Sequence, residues 1–336
     1  MNPLERAVWA VDKYQQRHTP LAFVVAVVRK FGDDRGGTLA TSLTYSAFVA
    51  VFPLLLLFVT ILGFVLGSNQ DADDAVLRSA LVEFPILGDQ LVSSLRPLRG
   101  SGFALAVGLV GLAWGGFGVT QAAQHAMAEV WNVPGVLRPN FVVRIARGVV
   151  VLGIGGLGLV ATSALASVST FTGELTAARL AAGAAAALLN VFLFVAAFRM
   201  TTVRTIATRQ LLAGAAIGGL AWTLLQALGG YLVSHQLRNS SEVYGFFATV
   251  LGLLSWIFLG TRVVLYAAEA NVVLARRLWP RSLVQPPLTP ADKQALADIV
   301  RQEERRPEES VDVSFEVPED PAVHAEAPAR TEQRGS

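Results

Sequence analysis

Two ionisable residues lie in the apolar segment 244–275. Arg262 and Glu269 are seven positions apart, which in a helix is about 20° short of two turns and about 10.5 Å along the axis. Because an ionised side chain is costly in hydrocarbon, such residues face a protein interior or a water-filled cavity and often mark a substrate pathway. A direct pair would be at the limit of reach, so each is predicted to have a partner on another helix. A structural ion pair or a snorkelling cap is the competing interpretation.

Hydroxyl side chains and a proline mark the segment 39–66. Thr41, Thr44 and Tyr45 fall on roughly one helical face. Pro53 removes a backbone hydrogen bond and is expected to kink the helix. A kinked helix with a hydroxyl stripe is typical of a cavity wall, although a packing joint has the same pattern. The three hydroxyl residues are therefore candidate cavity or ligand-binding residues, together with the two ionisable ones.

A polar face is predicted where the second apolar segment ends. Gln121, His125, Glu129 and Asn132 recur at helical spacing, and Arg144 follows in the next flank. His125 and Glu129 could ligate a metal only with further ligands, and none are apparent, so no metal site is predicted. A face that is solvated or contacts a partner is the favoured interpretation.

Aromatic and amide residues have simpler expectations. Tyr231 and the pair Tyr244-Gly245 are expected near the outer membrane interface, where amphipathic rings are enriched. Asn190 and Gln226 are amides within apolar segments and are expected to hydrogen-bond between helices.

The chain lacks the motifs of several enzyme classes. It has no P-loop, no H-E-x-x-H and no G-x-S-x-G sequence. It has no cysteine, which excludes thiol catalysis and thiolate metal sites, and its four histidines are scattered. We predict no catalytic residues, no cofactor and no nucleic-acid partner.

The elements that must position these residues are membrane-spanning helices. Of the 336 residues, 53% are hydrophobic and 15% are charged, against about 25% charged in an ordinary globular domain. Six stretches are long enough to cross about 30 Å of hydrocarbon and mostly lack the polar stripe of a soluble helix. They lie near 39–66, 102–124, 148–171, 180–198, 210–233 and 244–275. The predicted fold class is all-α, a polytopic membrane bundle of six transmembrane helices.

The distribution of basic residues predicts the orientation. One set of flanks holds 15 Lys and Arg residues, and the opposite set holds 5. Basic flanks remain in the cytoplasm. Both termini are therefore predicted to be cytoplasmic in a multi-pass protein of the cell membrane.

Three parts are predicted along the chain: a cytoplasmic N-terminal segment at 1–38, the transmembrane domain at 39–281 and an acidic tail at 282–336. Pro20–Phe31 is predicted as an interfacial helix or, equally, as an elbow packed beneath the bundle. The outer loop 67–101 could form a cap or be a plain connector. In the tail, a helix is expected over Thr289–Arg305 and disorder beyond Pro307.

Four short motifs carry a family resemblance. They are ATSLTYSAFVAVFPLLLL from Ala40, Glu129-Val130-Trp131-Asn132 followed by Arg144, Val243-Tyr244-Gly245, and Ala268-Glu269-Ala270-Asn271. Over about residues 20–280 the chain resembles the YihY/BrkB family of six-span inner-membrane proteins. Two departures concern local packing: Ala267-Ala268 replace a more usual glycine before the glutamate, and Phe246-Phe247 replace small residues. The last motif adds Asn271 to the candidate ligand-binding residues.

The resemblance implies several functions. Some members of the family are labelled ribonuclease BN, others are labelled virulence factors, and roles in the envelope that include lipid transport have been proposed for relatives. The leading hypothesis is non-enzymatic transport or flipping of a lipid-like or anionic amphiphile. The alternative is a scaffold that recruits partners through its cytoplasmic face and tail, and a membrane ribonuclease is a remote third. The lipid bilayer is the expected partner, and homo-oligomerisation is left open.

Overall fold

The computed structural model describes residues 3–66, 102–171, 176–236, 245–285 and 287–315. Every regular element in these ranges is helical. The α-helices within them, numbered here in chain order, are α1 (Pro3–Arg17), α2 (Thr19–Asp33), α3 (Gly36–Leu66), α4 (Gly102–Val130), α5 (Phe141–Phe171), α6 (Thr176–Thr201), α7 (Leu212–Gln236), α8 (Gly245–Arg276) and α9 (Pro290–Arg301).

Helices α3 to α8 are long and apolar enough to cross a membrane. The all-α fold class and the six predicted spans are therefore confirmed. Some helices extend past the predicted spans: α4 continues to Val130 and α5 begins at Phe141. A helix can continue past the apolar segment because helix propensity does not require an apolar side chain.

The six long helices pack in a ring in sequence order, and α4 also contacts α6 and α8 across it. Each packs against its neighbours in the sequence, and α8 also packs against α3. Glycines permit close approach: a Cβ on Gly158 would lie 2.7 Å from Leu193, and one on Gly219 would lie 2.6 Å from the backbone nitrogen of Val191. Asn190 on α6 donates to Gln226 on α7 at 3.4 Å, which confirms the predicted amide contact.

Pro53 lies inside α3 and faces α4. A Cβ on Gly111 would lie 2.9 Å from the Cβ and Cγ atoms of Pro53, and one on Gly115 would lie 2.9 Å from the Cα of Ala50. Of the two interpretations of this proline, the structure shows the packing joint. The missing side chain of Gly111 leaves the space that the proline ring fills.

One end of the ring carries the 131–140 and 202–211 connections and both terminal segments, and is called the basic end below. Asn132 Nδ2 donates to Gln302 Oε1 at 2.9 Å, and Arg147 Nη1 donates to Thr202 O at 3.2 Å. The two described terminal segments therefore lie on the same side, as an even number of spans requires.

Helix α2 runs antiparallel to α8 along its last turns. Phe23 meets Trp279 edge to face at 6.2 Å, and Phe31 stacks on Tyr266 at 4.2 Å between ring centroids. One face of α2 is buried against α8, whereas Leu21, Val24 and Val28 on another face are exposed. The buried face agrees with the predicted elbow packed against the bundle, and the exposed apolar face agrees with the predicted interfacial helix. Helix α1 was not predicted, because its sequence is largely polar.

The chain after α8 folds back onto the basic end. Thr289 caps α9, with its Oγ1 accepting from the backbone N–H of Asp292 at 3.1 Å. This confirms the predicted helix, which ends at Arg301. Ser282 and Asp292 are buried, so the predicted tail boundary at residue 282 falls inside a packed segment. The prediction of disorder concerns mainly residues 316–336, which lie outside the described residues.

Candidate functional site

Lys30 is the centre of a buried polar cluster at the basic end. Its side chain is fully buried, and its Nζ donates to Asp34, to Val130 O at 3.0 Å and to Asn132 Oδ1 at 3.0 Å. Glu269 Oε2 on α8 lies 3.6 Å from the same ammonium. An ammonium has three donors, and these hydrogen bonds use all of them. Lys30, Asp34, Asn132 and Glu269 are called the Lys30 cluster below.

The end of α4 supplies two of the cluster's acceptors. Asn132 has a φ of 44°, a left-handed conformation that asparagine tolerates better than most residues. The N–H of Val133 then reaches the Ala128 carbonyl at 2.8 Å, which closes a Schellman motif. The Val130 carbonyl in this last turn has no helical donor, and the Lys30 ammonium satisfies it.

The Lys30 cluster contains one cation and two carboxylates. Glu269 is fully buried, and neither of its carboxylate oxygens has a hydrogen bond from any residue that the structure describes. Burial raises the pKa of Asp34, although the Lys30 ammonium and the Asn132 amide oppose the shift. One bound proton would balance the charge of the cluster. The prediction that Glu269 has its partner on another helix is confirmed, since Lys30 belongs to α2.

Arg262 does not join the Lys30 cluster. Its guanidinium carbon lies 5.7 Å from the ring centroid of Phe31 and 5.4 Å from that of Phe258, so its contacts are cation–π contacts. No carboxylate among the described residues pairs with it, and its buried Nε has no hydrogen bond. Arg262 shares a face of α8 with Leu251 and Leu259, both 47% exposed. Glu269 on the same face is fully buried against α2, so the half-buried Arg262 lies near the middle of α8, where the cover that α2 provides ends.

The hydroxyl residues of α3 are separated by the structure. Thr44 is buried, and its Oγ1 lies 2.9 Å from Thr261 Oγ1 on α8, so the two hydroxyls link α3 to α8. Thr41 is exposed and donates to its own helix at Gly37 O, and Tyr45 is 69% exposed. Thr41 and Tyr45 thus face outward, because they lie about 60° and about 100° around the helix from Thr44.

Asn271 has a structural partner. It is fully buried, and its Oδ1 accepts the backbone N–H of Gly214 at 2.6 Å. Gly214 lies in the first turn of α7, whose N–H groups lack helical acceptors. Asn271 therefore caps α7 from α8. This capping requires a residue without a side chain at position 214, since a Cβ there would lie 2.0 Å from Ala267 O.

The predicted polar face at the end of α4 is largely covered by other parts of the chain. Glu129 accepts from Arg138 at 2.9 Å and also from Gln302 of the C-terminal segment. Gln121 accepts from Arg144 on α5. Only His125 stays mostly exposed, 3.8 Å from Glu129. The residues that cover part of this face belong to the same chain, and Gln121, His125 and Glu129 keep some exposure to solvent. The expectation of a solvated or partner-contacting face stays a prediction.

A small cavity of about 60 Å³ opens beside this face, between α4, α5 and the end of α6. Its lining includes Gln124, His125, Arg138, Arg144 and Thr201. No cluster of three potential metal ligands occurs in the described part of the chain. Of the outer-interface residues, Tyr244 and the side chain of Tyr231 lie outside the described residues, and Gly245 begins α8.

Sequence reasoning singled out Glu269 but missed other buried charged residues. Neither Lys30, at the end of the predicted segment Pro20–Phe31, nor Asp34 was considered as a site residue. Their spacing of four residues was the available signal, because it places them side by side at a helix end. Arg281 and Asp292, a buried pair beneath α2, had no local signal, since the loop between them determines their contact.

Comparison with known proteins places the chain in a family. The model of the family described as Virulence factor BrkB matches residues 27–290. A UPF0761 membrane protein of Alcanivorax borkumensis is 26% identical over 258 residues, which is 74% of this chain and 59% of that protein. A UPF0761 membrane protein of Pseudomonas paraeruginosa is 25% identical over 80% of this chain and 66% of its own length. The inner membrane protein YhjD of Escherichia coli K12 is 23% identical over 79% of this chain and 84% of its own length.

The chain spans 59% and 66% of the length of these two UPF0761 relatives. No solved structure matches it. The family model covers most of the chain, including the Lys30 cluster and all six spanning helices. The chain is therefore an integral membrane protein that belongs to the virulence factor BrkB family.

Proposed function

We propose that the protein moves an anionic amphiphile across the cell membrane and contacts its headgroup at Arg262. The observation that carries this proposal is an unneutralised guanidinium midway along α8, on the face that also presents Leu251 and Leu259. An arginine in hydrocarbon is costly. An anionic headgroup that passes along this face would supply the missing counter-charge, and its acyl chains would stay in the bilayer.

The surroundings of Arg262 support a binding role more than a structural one. Phe31 and Phe258 hold the guanidinium by its face, which leaves the in-plane N–H groups free for an oxygen anion. A purely structural arginine would be expected to have a carboxylate or carbonyl acceptor. Glu269 of the Lys30 cluster lies about two turns from Arg262 on the same helix. Binding of a proton by this cluster would offer a means of coupling transport to proton movement.

A transport assay tests the proposal. The full-length protein would be reconstituted into vesicles that contain fluorescent phosphatidylglycerol, and the rate of movement between leaflets would be measured by chemical quenching. Arg262→Gln should reduce the protein-dependent rate at least tenfold, whereas Arg262→Lys should keep part of it, because lysine retains the charge but loses the planar fork. Arg301→Gln is the matched control, since Arg301 is exposed at the end of α9.

Two results would contradict this function. An unchanged rate in Arg262→Gln would remove Arg262 from the pathway. A melting temperature of Arg262→Gln as low as that of a packing variant such as Gly214→Ala would indicate that Arg262 has a structural role. The variant should instead fold normally, because Arg262 has no ion pair to lose in the described structure.

The scaffold alternative is less well supported. Gln302 contacts both Asn132 and Glu129, so the chain's own C-terminal segment occupies part of the face that a partner would need. Deletion of residues 316–336 separates the two hypotheses: transport should survive it, and a recruitment function would be lost.

We also propose that the protein has no ribonuclease activity. The described carboxylates at the basic end are used in structural pairs, such as Glu129 with Arg138 and Asp292 with Arg281. Purified protein should not cleave RNA with or without divalent metal. Cleavage that co-purifies with the protein and disappears in Glu129→Gln would overturn this proposal.

A further inference from the structure

The basic end has a second cationic site, distinct from Arg262. Between Glu129 and Glu242 the sequence has one acidic residue, Glu174, and eight arginines, six of which lie in the two connections and their flanks. Arg199 and Arg204 lie close enough to Arg147 for their charges to act on it. None of these three has a carboxylate partner among the described residues. The excess positive charge is therefore concentrated between α5 and α6.

The cavity between α4, α5 and α6 lies at the edge of this charged region. Its volume of about 60 Å³ exceeds the roughly 10–15 Å³ that one water needs on the same measure. Arg138 and Arg144 line it together with His125. Glu129 neutralises Arg138 at 2.9 Å, but the guanidinium of Arg144 has only the amide oxygen of Gln121 as a described partner. The backbone carbonyl of Arg144 accepts from Gln124 Nε2 at 3.1 Å. The pocket is thus cationic and large enough for a small oxyanion.

Unsatisfied polar atoms occur in and beside the cavity lining. Within the described part of the chain, the lining residue Gln124 has an unpaired acceptor, its Oε1, and two unpaired donors belong to residues next to the lining. Gln121 Nε2 and the Thr202 hydroxyl are buried without hydrogen-bond partners in the described structure. Gln121 already orients Arg144, and Thr202 follows Thr201 of the cavity lining. Buried donors are normally satisfied, so unpaired donors beside a cationic cavity point to a ligand that carries acceptor oxygens.

Exposed apolar side chains flank the cavity-lining residues in the sequence. Leu137, which precedes Arg138 of the lining, is 58% exposed, and Phe141 and Val142 at the start of α5 are 63% and 71% exposed. These three side chains are called the rim below. Exposed apolar side chains beside a basic pocket between spanning helices fit a lipid, whose headgroup enters the pocket while its chains cover the rim. A soluble anion would use the pocket but not the rim.

We propose that this cavity, with Arg144 as its main cation, binds the phosphate of an anionic lipid headgroup at the cytoplasmic surface. The inference deepens the proposed function, because the cavity would receive the amphiphile before it reaches Arg262. The shared chemistry is a phosphate anion, and inorganic phosphate is the other source of the same group. Equilibrium binding does not require transport, so this inference can fail while the proposed function stands, and the reverse also holds.

The test measures lipid binding to the full-length protein in detergent by native mass spectrometry. Phosphatidylglycerol should bind at least tenfold more tightly than phosphatidylcholine. Arg144→Gln should lose about tenfold in phosphatidylglycerol affinity, and Arg144→Lys should lose less. Arg209→Gln, which removes the same charge from an exposed position at this end, should keep the affinity. Melting temperatures of all variants show whether Arg144→Gln remains folded.

Three outcomes would overturn the proposal. Equal binding of the two lipids would remove the headgroup preference. Equal loss in Arg144→Gln and Arg209→Gln would reduce the effect to the general charge of this end. Displacement of phosphatidylglycerol by millimolar inorganic phosphate, with no contribution from acyl chains, would assign the cavity to a soluble anion. If Arg144→Gln does not fold, Gln124→Leu, which changes the cavity wall without removing a charge, should still weaken phosphatidylglycerol binding.

Discussion

Replacement of Lys30 by methionine should destabilise the protein strongly. Methionine keeps most of the length of the side chain but removes the ammonium. The change deletes hydrogen bonds to Asp34, Val130 O and Asn132, and it leaves Glu269 without its only described cation. Breaking a buried ion pair by removing one partner costs about 3–5 kcal/mol, because the remaining charge stays buried.

The magnitude can be converted into a melting temperature. At roughly 2–4 °C per kcal/mol for a protein of about 150–250 residues, Lys30→Met should lower the melting temperature in detergent by about 10 °C. The matched control is Lys13→Met, because Lys13 is exposed on α1, and its change should be within about 1 °C.

A combination that removes every formal charge from the Lys30 cluster provides the sharper test. Lys30→Met with Asp34→Asn and Glu269→Gln removes both the cation and the two carboxylates. It should recover at least half of the lost stability, since replacing a whole buried ionic group is far less costly than orphaning part of it. The reasoning would be refuted if Lys30→Met melted within 2 °C of the original protein, or if the triple variant were no more stable than the single one.

Three further predictions concern packing, pH and topology. Gly214→Ala should cost about 1–3 kcal/mol, because the new Cβ would lie 2.0 Å from Ala267 O, whereas Gly155→Ala, with nothing within 4 Å, should be neutral or stabilising in the same melting assay. Burial raises the pKa of Asp292, but hydrogen bonds from Arg281, Ser282 and Thr289 outweigh it and lower the pKa to about 2. The contribution of this carboxylate to the free energy of unfolding should therefore be present above about pH 4 and be lost as the pH falls from about 4 to about 2. Asp292→Asn should flatten this part of the pH profile of the melting temperature. Reporter fusions after Arg204 should read as cytoplasmic and those at Ser240 as external, and a cytoplasmic reading at Ser240 would refute the six-span topology.

Composition and apolar length predicted the membrane class and the number of spans. They succeed because crossing hydrocarbon requires about 20 apolar residues in one helix, and this condition is local in the sequence. The cap at Thr289 was predictable for the same reason, since the capping residue and the N–H group that it accepts lie in one turn. Asn190 and Gln226 were correctly predicted to hydrogen-bond between helices, because a buried amide in an apolar helix needs a partner on another helix. That they bond to each other is a result of the structure.

The sequence could not determine which charged residues meet. Arg262 and Glu269 share a helix face, yet Glu269 pairs with Lys30 and Arg262 lies against two aromatic rings. That outcome depends on α2, which packs antiparallel to α8. Its last turn places Lys30 beside Glu269 and Phe31 beside Arg262. Pairing between residues separated by more than 200 positions is decided by how whole helices pack, and helical periodicity gives only the face of each helix. The sequence therefore determined that the charges lie in a helical bundle, and the tertiary structure decided which of them are neutralised.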